Sequence, residues 1–492
     1  IKHMKMSIKL LFLTNMLGLI LITGLHNMKL MINTNKLLMR QMSLSISIMT
    51  FYICMYMWYM YNSNMTGFQS VESILNINWG MDGISLMLVV LTAFLGPIAL
   101  LSNWNMNIND KTNQKDVMYV SLILILVFLM MLNFMCLDMM SFYVLFESTL
   151  APLFLLMGMY GASNKEKAAY YVLVYTLGSS LFMLTSMGIY TYITNTTDYT
   201  SINSIILSMD LQCMIWLGMF MGIAVKTPLL PVHTWLPVVH SESPLGGSIL
   251  LAGVILKLAM YGVTRLLMPN LTEATMLYMP AMYVMAVITM IYTSLITLRQ
   301  TDLKVIMAYS SISHLGVCIT GIFANNLMGI EGSLLLCTAH GFVSPALFIA
   351  VGGILYDRYH NRLLYYYQGL STYMPIFSVY TVFFSFCNIG TPLSVNFLGE
   401  FLSFTGAFQN HPLLIAFATM SVLLSASYQM KLTNRLTGGS KSPYLKITKD
   451  LTNREIFLMN YTLIPTLFLG LYPTPLTNVL NLSCSSVLYH IM

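Results

Sequence analysis

The feature that most constrains the fold is a succession of apolar runs, each about 20 residues long, that fills almost the whole chain of 492 residues. A helix of about 20 apolar residues can cross the hydrocarbon core of a bilayer. Helices also satisfy their own backbone polar groups in that environment. The sequence therefore predicts an all-α polytopic membrane protein that forms a single membrane domain over 1–492. Fourteen spans are expected, near 8–25, 43–61, 83–103, 117–136, 139–160, 168–193, 211–238, 245–267, 276–297, 304–323, 329–355, 370–410, 412–433 and 455–482.

Composition excludes most other classes of protein. Only 8% of the residues are charged and 57% are hydrophobic, whereas soluble proteins carry about 25% charged residues. The formal charge of +6 does not indicate nucleic-acid binding, because the basic residues alternate with the apolar spans. The first apolar run lacks a small-residue cleavage site, so a retained span is expected there and not a signal peptide.

The sequence contains no motif typical of a cofactor site. The seven cysteines are scattered, and none has C-x-x-C spacing, which argues against iron–sulfur, zinc and thiol-redox centres. Histidines and carboxylates do not cluster at metal-ligand spacing either. G-x-G-x-x-G and P-loop motifs are absent, so no nucleotide is expected to bind. The prediction is that this chain holds neither a cofactor nor a metal.

The positions of the basic residues predict the orientation of the spans. We call the side that carries the odd-numbered connections side B, and the side that carries the even-numbered connections and both termini side A. Side B then holds 17 of the 23 lysines and arginines, Lys29 and Lys111 among them, and side A holds 4, which are Lys2, Lys5, Lys9 and Arg265. By the positive-inside rule, side B faces the compartment of synthesis, and both termini face away from it. The remaining two basic residues are Lys226 and Lys257, which lie within apolar runs.

Two of the spans contain sequences that interrupt a helix. Pro228 and Pro231 lie in the seventh span and Pro392 in the twelfth, where each removes a backbone donor. The two breaks share T-P-L and are five spans apart. An odd offset predicts two inverted repeats, 117–267 (spans 4–8) and 276–433 (spans 9–13), each with a broken helix, which is a plan of many transporters. Spans 1–3 at 1–116 precede the repeats, and the final span at 455–482 follows them.

The two lysines inside spans are the first candidates for a transport site. An ammonium at the centre of a bilayer costs about 2.5–3.5 kcal/mol even on the mildest insertion scale. Lysines near a membrane interface avoid this cost by extending to it, but Lys226 and Lys257 lie near the middle of their spans. Lys226 also precedes the proline-broken segment, and such segments are tolerated where they line a cavity or contact protein.

Other titratable residues extend this polar series through the spans. Glu147 and His340 each precede a proline by five residues, His314 follows a serine-rich Y-S-S-I-S, and Glu400 lies beyond the second break. Intramembrane ionisable residues of this kind are typical of proton relays. The alternatives that remain open are a neutral glutamic acid that joins helices by hydrogen bonds and histidines that only pack in the core.

Three further residues flank the break in the seventh span. His233 and His240 lie on either side of Trp235 and Pro237, and Glu242 follows them. A histidine titrates near neutrality, which suits proton entry. We expect His240 and Glu242 at the side-B mouth of the path, although core packing is an alternative for both histidines.

These motifs resemble those of the antiporter-like membrane subunits of respiratory complex I, which are similar to subunits of multi-component sodium/proton antiporters. The strongest is L-P-V-H-T-W-L-P-V-V-H-S-E-S-P at 230–244, and F-E-S-T-L-A-P at 146–152 and N-F-L-G-E-F at 396–401 also fit. The resemblance covers about 117–430; the region before 103 fits only in its hydrophobic outline. It implies a proton-channel role for Glu147, Lys226, Lys257 and Glu400, with His314 and His340 on the connecting path.

The resemblance also implies partners and a location. It places the chain in the mitochondrial inner membrane, with both termini in the intermembrane space, among other membrane-arm subunits, neighbouring antiporter-like chains and lipids. Flavin, iron–sulfur clusters and quinone are expected in other subunits. Two alternatives stay open: a sodium/proton antiporter subunit that acts without electron transfer, and a spacer that conducts no protons.

Overall fold

A computed structural model of the chain describes residues 2–27, 36–74, 76–104, 114–203, 205 and 207–489. Within these ranges the chain is helical apart from one short hairpin. Lys29 and Lys111, two of the basic residues assigned to side B, lie outside the described residues. The chain divides into two compact units, the first comprising 1–222 and 242–270 and the second comprising 223–241 and 271–492.

The first unit contains the first eight helices, most of the ninth, and a bent helical segment after Pro244. The helices are α1 (Lys2–Asn27), α2 (Lys36–Met60), α3 (Gly83–Ser102), α4 (Gln114–Met135), α5 (Met139–Ser148), α6 (Leu150–Tyr160), α7 (Lys165–Thr194), α8 (Tyr199–Ile202), α9 (Met209–Lys226), α11 (Leu245–Leu250), α12 (Leu256–Gly262) and α13 (Met268–Asn270). Two π-helical stretches, Leu251–Ile255 and Val263–Leu267, join the last three into one bent segment. α1 to α4 pack side by side, and α11 packs on α3.

A hairpin that the sequence did not predict precedes α3. Its strands, β1 (Gln69–Ile74) and β2 (Ile77–Met81), pair antiparallel. Asp82 then caps α3, because its carboxylate accepts a hydrogen bond from the backbone N–H of Ser85. A buried ion pair joins the same Asp82 to Arg265, whose guanidinium also lies 4.7 Å from the ring centre of Phe68. Arg265, expected in a connection on side A, is therefore buried within the first unit.

The second unit is built around α16, which is buried along almost all of its length. Its helices are α10 (Trp235–Glu242, up to Ser241), α14 (Thr272–Arg299), α15 (Leu303–Phe323), α16 (Leu327–Phe348), α17 (Tyr356–Tyr359), α18 (Pro375–Ile389), α19 (Val395–Phe408), α20 (Pro412–Ala418), α21 (Met420–Thr437), α22 (Asn453–Leu471) and α23 (Thr474–Tyr489). A π-helical stretch, Ile349–Leu355, joins α16 to α17, and two single 3-10 turns, Leu364–Tyr366 and Leu370–Thr372, lie in the connection that follows. α16 packs against α15, α18, α19, α22 and α23.

Glycines allow α15, α16 and α19 to approach with backbone in contact with backbone. A Cβ on Gly332 of α16 would lie 2.5 Å from the backbone nitrogen of Ser403, and one on Gly406 of α19 would lie 2.5 Å from the Cα of Gly329. Small residues at such contacts are typical of helix pairs in membranes. These three helices therefore leave no room for a larger side chain at these positions.

A polar network fixes the connection between α21 and α22. The guanidinium of Arg358 donates to both carboxylate oxygens of Glu455, at 3.0 and 2.7 Å, and to the carbonyl of Asp450. The Asp450 carboxylate accepts from the backbone N–H groups of Ile376 and Phe377, in the first turn of α18. Negative charge is favourable at a helix N-terminus, so this contact stabilises the start of α18.

The lengths of the helices agree with the spans expected from the sequence. Twelve segments within the described residues are long and apolar enough to cross a membrane, and α22 with α23 makes a thirteenth if the bent pair is one span. α18 is a shorter apolar helix, and together with α19 it occupies the place of the broken twelfth span. The prediction of an all-α polytopic membrane protein is confirmed.

Both predicted breaks are present, and the structure adds another. α9 ends at Lys226 and α10 begins at Trp235; α18 ends at Ile389 and α19 begins at Val395. The last span was treated as continuous over 455–482, but α22 and α23 meet at an angle of 70°. Pro473 and Pro475 explain the bend, since proline donates no backbone hydrogen bond and disfavours helical geometry in the residue before it.

Candidate functional site

Lys226 is the last residue of α9 and is buried, directly before the first break. Pro228 and Pro231 lie within this break, where the chain turns without regular hydrogen bonds. The break is tied back to α9, because the indole Nε1 of Trp235 donates to the carbonyl of Val225 at 2.8 Å. The helix end that carries Lys226 is therefore held in place by the segment that follows it.

Lys257 is fully buried in α12, at the point where a π-helical stretch returns to α-helix. Its ammonium donates to the carbonyl oxygen of Ala252, five residues earlier, at 2.6 Å. Wider turns leave backbone carbonyls available to other donors, and single π-helical turns are frequent at functional sites. The sequence predicted the buried lysine but not this change in helix type.

Glu147 is the penultimate residue of α5, next to a further interruption of a predicted span. α5 ends at Ser148 and α6 begins at Leu150. Pro152 has no N–H to donate to the carbonyl of Ser148, which accounts for the interruption. The side chain of Glu147 is partly exposed in the isolated chain, although both carboxylate oxygens are buried. Glu147 and Lys257 lie in the first unit, and Lys226 lies in the second.

Glu400, His314 and His340 are brought together in the second unit, on three different helices. Nδ1 of His314 in α15 lies 3.0 Å from Oε1 of Glu400 in α19. The ring of His340 in α16 lies 5.9 Å from that of His314, measured between centroids, and its Nδ1 is 3.5 Å from the hydroxyl oxygen of Ser344. All three titratable side chains are buried. Neighbouring imidazole and carboxylate groups can exchange a proton, so this arrangement is suited to a short relay.

The second break lies directly against Glu400. Gly390 has a left-handed φ of +80°, and a Cβ at this position would lie 2.6 Å from Oε2 of Glu400. Pro392 and Leu393 follow in the non-helical segment, and Ser394 caps α19. Only glycine combines this backbone conformation with so close an approach. The sequence placed Glu400 two turns beyond Pro392, yet its carboxylate reaches back to the break.

The two histidines near the first break have different surroundings. The ring of His240 is fully buried and stacks on Phe348, with centroids 4.6 Å apart and planes 11° apart. The ring of His233 lies near Tyr292 and Tyr309, at 6.4 and 6.1 Å between centroids. His240 was expected at an open mouth of the path, and in the isolated chain it is enclosed.

Glu242 makes contacts that the sequence did not predict. Its carboxylate accepts from the backbone N–H of Asn164 at 2.9 Å, and its carbonyl accepts from Ala162. Asn164 is the N-cap residue of α7, where a negative charge is favourable. Glu242 therefore helps to fix the start of α7, whatever part it takes in proton entry.

Three buried amides were missed by the sequence analysis. Asn396 and Gln429 are fully buried with no hydrogen-bond partner for either polar atom of their side chains, and Nδ2 of buried Asn388 also has none, within the described residues. Their signal in the sequence is an uncharged amide inside an apolar run, as in F-C-N-I-G and S-V-N-F-L. An uncharged amide is a weaker signal than a charged residue within an apolar run, which is why these three were missed.

No cluster of three or more histidine, cysteine or acidic side chains suited to a metal ion occurs in the ranges that the structure describes. The chemistry available to the described site is proton transfer among carboxylate, imidazole and ammonium groups. Each of these groups changes its charge when it gains or loses a proton.

Comparisons with known proteins agree with the proton-transfer chemistry available to the described site. The family model described as NADH:quinone oxidoreductase/Mrp antiporter, TM, matches residues 136–425. A protein of Debaryomyces hansenii named NADH-ubiquinone oxidoreductase chain 4 is 59% identical over 400 residues, which cover 81% of this chain and 84% of the relative. Proteins of the same name are 50% identical in Wickerhamomyces canadensis, with 94% of each chain covered, and 40% identical in Arabidopsis thaliana, with 97% of each covered.

Solved structures support the fold. A chain of respiratory complex I from Thermus thermophilus with bound NADH has a TM-score of 0.84 at 24% identity and covers 97% of this chain and 100% of its own. A chain of the Mrp complex from Dietzia sp. has a TM-score of 0.84 at 15% identity and covers 100% of this chain and 99% of its own. The level of identity and the full-length coverage of the named relatives then decide the assignment: this chain belongs to the NADH-ubiquinone oxidoreductase chain 4 family.

Proposed function

We propose that this chain is a proton-translocating subunit in the membrane arm of respiratory complex I, where it couples quinone reduction elsewhere in the complex to proton transfer. The observation that carries this proposal is the buried relay of Glu400, His314 and His340 beside the second broken helix. Buried titratable groups are costly in a membrane, and they are typical of proton pathways. The family of the chain supports the assignment to an NADH–ubiquinone oxidoreductase.

In this mechanism, Glu147, Lys226 and Lys257 carry the first part of the path. Lys226 pairs with Glu147 in one state and passes its proton towards Lys257 in the other. A buried charge whose partner moves away changes its pKa by whole units, which makes such a pair switchable. His233 and His240 serve proton entry from side B, with Glu242 holding the neighbouring start of α7.

The second part of the path uses the relay in the second unit. A proton that leaves Lys257 passes through His340 and His314 to Glu400, and Glu400 releases it towards side A. Each transfer leaves one group with one proton fewer and the next with one more, so no redox step is needed in this chain. Flavin, iron–sulfur clusters and quinone are assigned to other subunits.

The family and the distribution of the basic residues support a proposed location. We place the chain in the mitochondrial inner membrane, with side B towards the matrix and both termini in the intermembrane space. Its neighbours are other membrane-arm subunits, including antiporter-like chains, together with lipids. We also propose that 117–267 and 276–433 are inverted repeats.

A sodium/proton antiporter subunit is the competing function, because the family model and the Dietzia structure include Mrp antiporters. The identity of 59% to a protein named NADH-ubiquinone oxidoreductase chain 4 favours complex I. Purification in mild detergent separates the two, since flavin and iron–sulfur subunits should copurify with this chain only in the complex I assignment.

The role of the lysines is tested by Lys226→Ala and Glu147→Gln in the whole complex, reconstituted into vesicles. Alanine cannot carry the proton of Lys226 and glutamine cannot carry that of Glu147, so either variant should lower the number of protons pumped per electron. In the state in which the two residues pair, loss of one partner also costs about 3–5 kcal/mol and should lower the amount of assembled complex. If both variants pump as the wild type does, these residues have no part in transport, and the chain is a spacer in the membrane arm.

A further inference from the structure

We propose that one face of α18 and the adjoining face of α21 form a water-filled proton passage that leads from side B to Glu400. The proposal rests on the function proposed above and adds an entry route for the second half of the path. In this conformation Glu400 is reached from side B, and it is separated from side A by tightly packed helices.

The face of α18 that carries this passage is a stripe of polar side chains in an otherwise apolar helix. Ser378, Thr381, Ser385 and Asn388 are all buried, and their spacing of three and four residues puts them on one side of the helix. The opposite side carries Val379, which is 68% exposed. From Ser378 to Asn388 the helix rises about 15 Å, roughly half the thickness of the hydrocarbon core.

Polar stripes in membrane proteins often join helices by hydrogen bonds, but these hydroxyls do not. Ser378, Thr381 and Ser385 donate to carbonyls three residues earlier in α18, at 2.6 to 3.0 Å. Their oxygen atoms remain able to accept further hydrogen bonds. The hydroxyl oxygens of the stripe are therefore available as acceptors, and these hydroxyls do not bond to α21.

The unpartnered amide of Gln429 in α21 is at the same depth as this stripe. Gly369 donates to the carbonyl of Gly438, and Ser371 to that of Thr437, so the start of α18 meets the end of α21. Since the two helices pack against each other from this shared end, Gln429, which is about 12 Å from it along α21, is level with the stretch between Thr381 and Ser385. A buried amide without any partner is destabilising, and ordered water is the usual means by which such groups are satisfied.

The passage begins at side B and ends at the carboxylate. The shared end of α18 and α21 lies in two connections assigned to side B, the one after α17 and the one before α22. At the other end, Asn388 stands two residues before Gly390, against which Glu400 is packed. Asn396, also without partners, lies one turn before Glu400 on the same face of α19. Polar atoms able to hold water therefore continue up to the titrating group.

Towards side A the surroundings of Glu400 are different. In the next two turns of α19, Ser403 and Gly406 are in backbone contact with Gly332 and Gly329 of α16. A Cβ on Gly321 of α15 would lie 2.7 Å from the carbonyl oxygen of Gly329. A contact of this kind has no space for water, so release towards side A requires that α16 and α19 separate.

Accessibility to a thiol reagent tests the passage in the whole complex. Thr381→Cys and Ser385→Cys are prepared in inside-out membrane particles, in which side B faces the medium, and treated with a small, membrane-impermeant cationic methanethiosulfonate. We expect loss of proton pumping in both variants. Val379→Cys, on the exposed, opposite side of the same helix, and wild-type particles with their native cysteines should keep pumping. Modification of Ser385→Cys only from side A would overturn the proposal.

A second measurement does not depend on the reagent. Asn388→Leu keeps the branched shape of the side chain and removes the amide, and Asn388→Ser keeps a polar group. If the amide holds water for proton transfer, the leucine variant should pump fewer protons per electron than the wild type. The serine variant should pump close to the wild-type number. If Asn388→Leu pumps as the wild type does, the amide serves packing only, and the passage is wrong.

The two proposals fail in different ways. Normal pumping by Glu400→Gln would remove Glu400 from transport altogether and would contradict the proposed function. Impaired pumping by Glu400→Gln, together with normal pumping by Asn388→Leu and by modified Ser385→Cys, would contradict the passage alone.

Discussion

The contact between His314 and Glu400 gives this chain a titratable pair that sequence spacing could not reveal. The two residues are 86 positions apart, and their helices are brought together by the glycine contacts of α15, α16 and α19. The residues themselves were predicted, because charge and imidazole within apolar runs are conspicuous. Their partners were not, since partners depend on how the helices pack.

Glu400→Gln should sharply lower the number of protons pumped per electron, because an amide cannot carry the proton. The complex should still assemble, since a neutral amide is cheaper to bury than a charge. Glu400→Asp should keep part of the activity. Proton and electron fluxes are measured together in reconstituted vesicles.

Glu455→Gln is the matched control for this variant. Glu455 is also a buried carboxylate, but it binds Arg358 in a structural contact. Its loss should lower the amount of assembled complex without changing the protons pumped per electron. A pumping defect of equal size in both variants would mean that Glu400, too, acts through structure.

Lys257→Met tests the buried ammonium in α12, directly after the first π-helical stretch. Methionine fills a similar volume and needs no partner, so the complex should assemble while proton pumping falls strongly. Lys431→Met is the control, because Lys431 also donates to a backbone carbonyl, that of Leu298 at 2.7 Å, but at an exposed helix end. Protons per electron are expected to be unchanged in the control; equal values in both variants would exclude Lys257 from the path.

At the scale of elements, prolines made two of the breaks predictable. The interruption at Lys226 and that at Gly390 follow from backbone donors missing at prolines and from a left-handed glycine. Prolines also mark the interruption after α5 and the bend between α22 and α23, which the sequence did not predict because the apolar runs continue through them. The π-helical stretches around Lys257 contain no proline and have no such signal. The hairpin before α3 was hidden because its strands are short and its residues mixed in polarity.

Gly332→Ala should destabilise the contact between α16 and α19. The added methyl group would meet backbone atoms, which cannot rotate away, and overpacking of this kind costs about 1–3 kcal/mol. Gly178→Ala in α7 is the control, since a Cβ there meets nothing within 4 Å of it in this chain. Blue-native electrophoresis and the temperature of half-inactivation should show less stable complex only for Gly332→Ala; equal behaviour of the two variants would show that the contact tolerates separation.

At the scale of the whole molecule, the sequence predicted the order of the apolar spans but not the division of the chain into units. The boundary falls within α9, after Gly222, and the second unit takes in the first break. No change in composition marks this point, because spans on both sides are equally apolar. Which helices pack together is decided by side-chain contacts from distant parts of the chain, and a single sequence does not display them.

The distribution of basic residues predicts the orientation of the whole chain in the membrane. Of 21 basic residues outside the spans, 17 fall on side B, and an even number of spans puts both termini on side A. In mitoplasts, a protease added from outside should therefore remove a tag placed at Met492 and leave a tag inserted in the connection between α21 and α22 intact. The inserted tag should become accessible only after the membrane is opened with detergent. Protection of the terminal tag together with cleavage of the inserted tag would reverse the orientation, and with it the direction assigned to proton transfer.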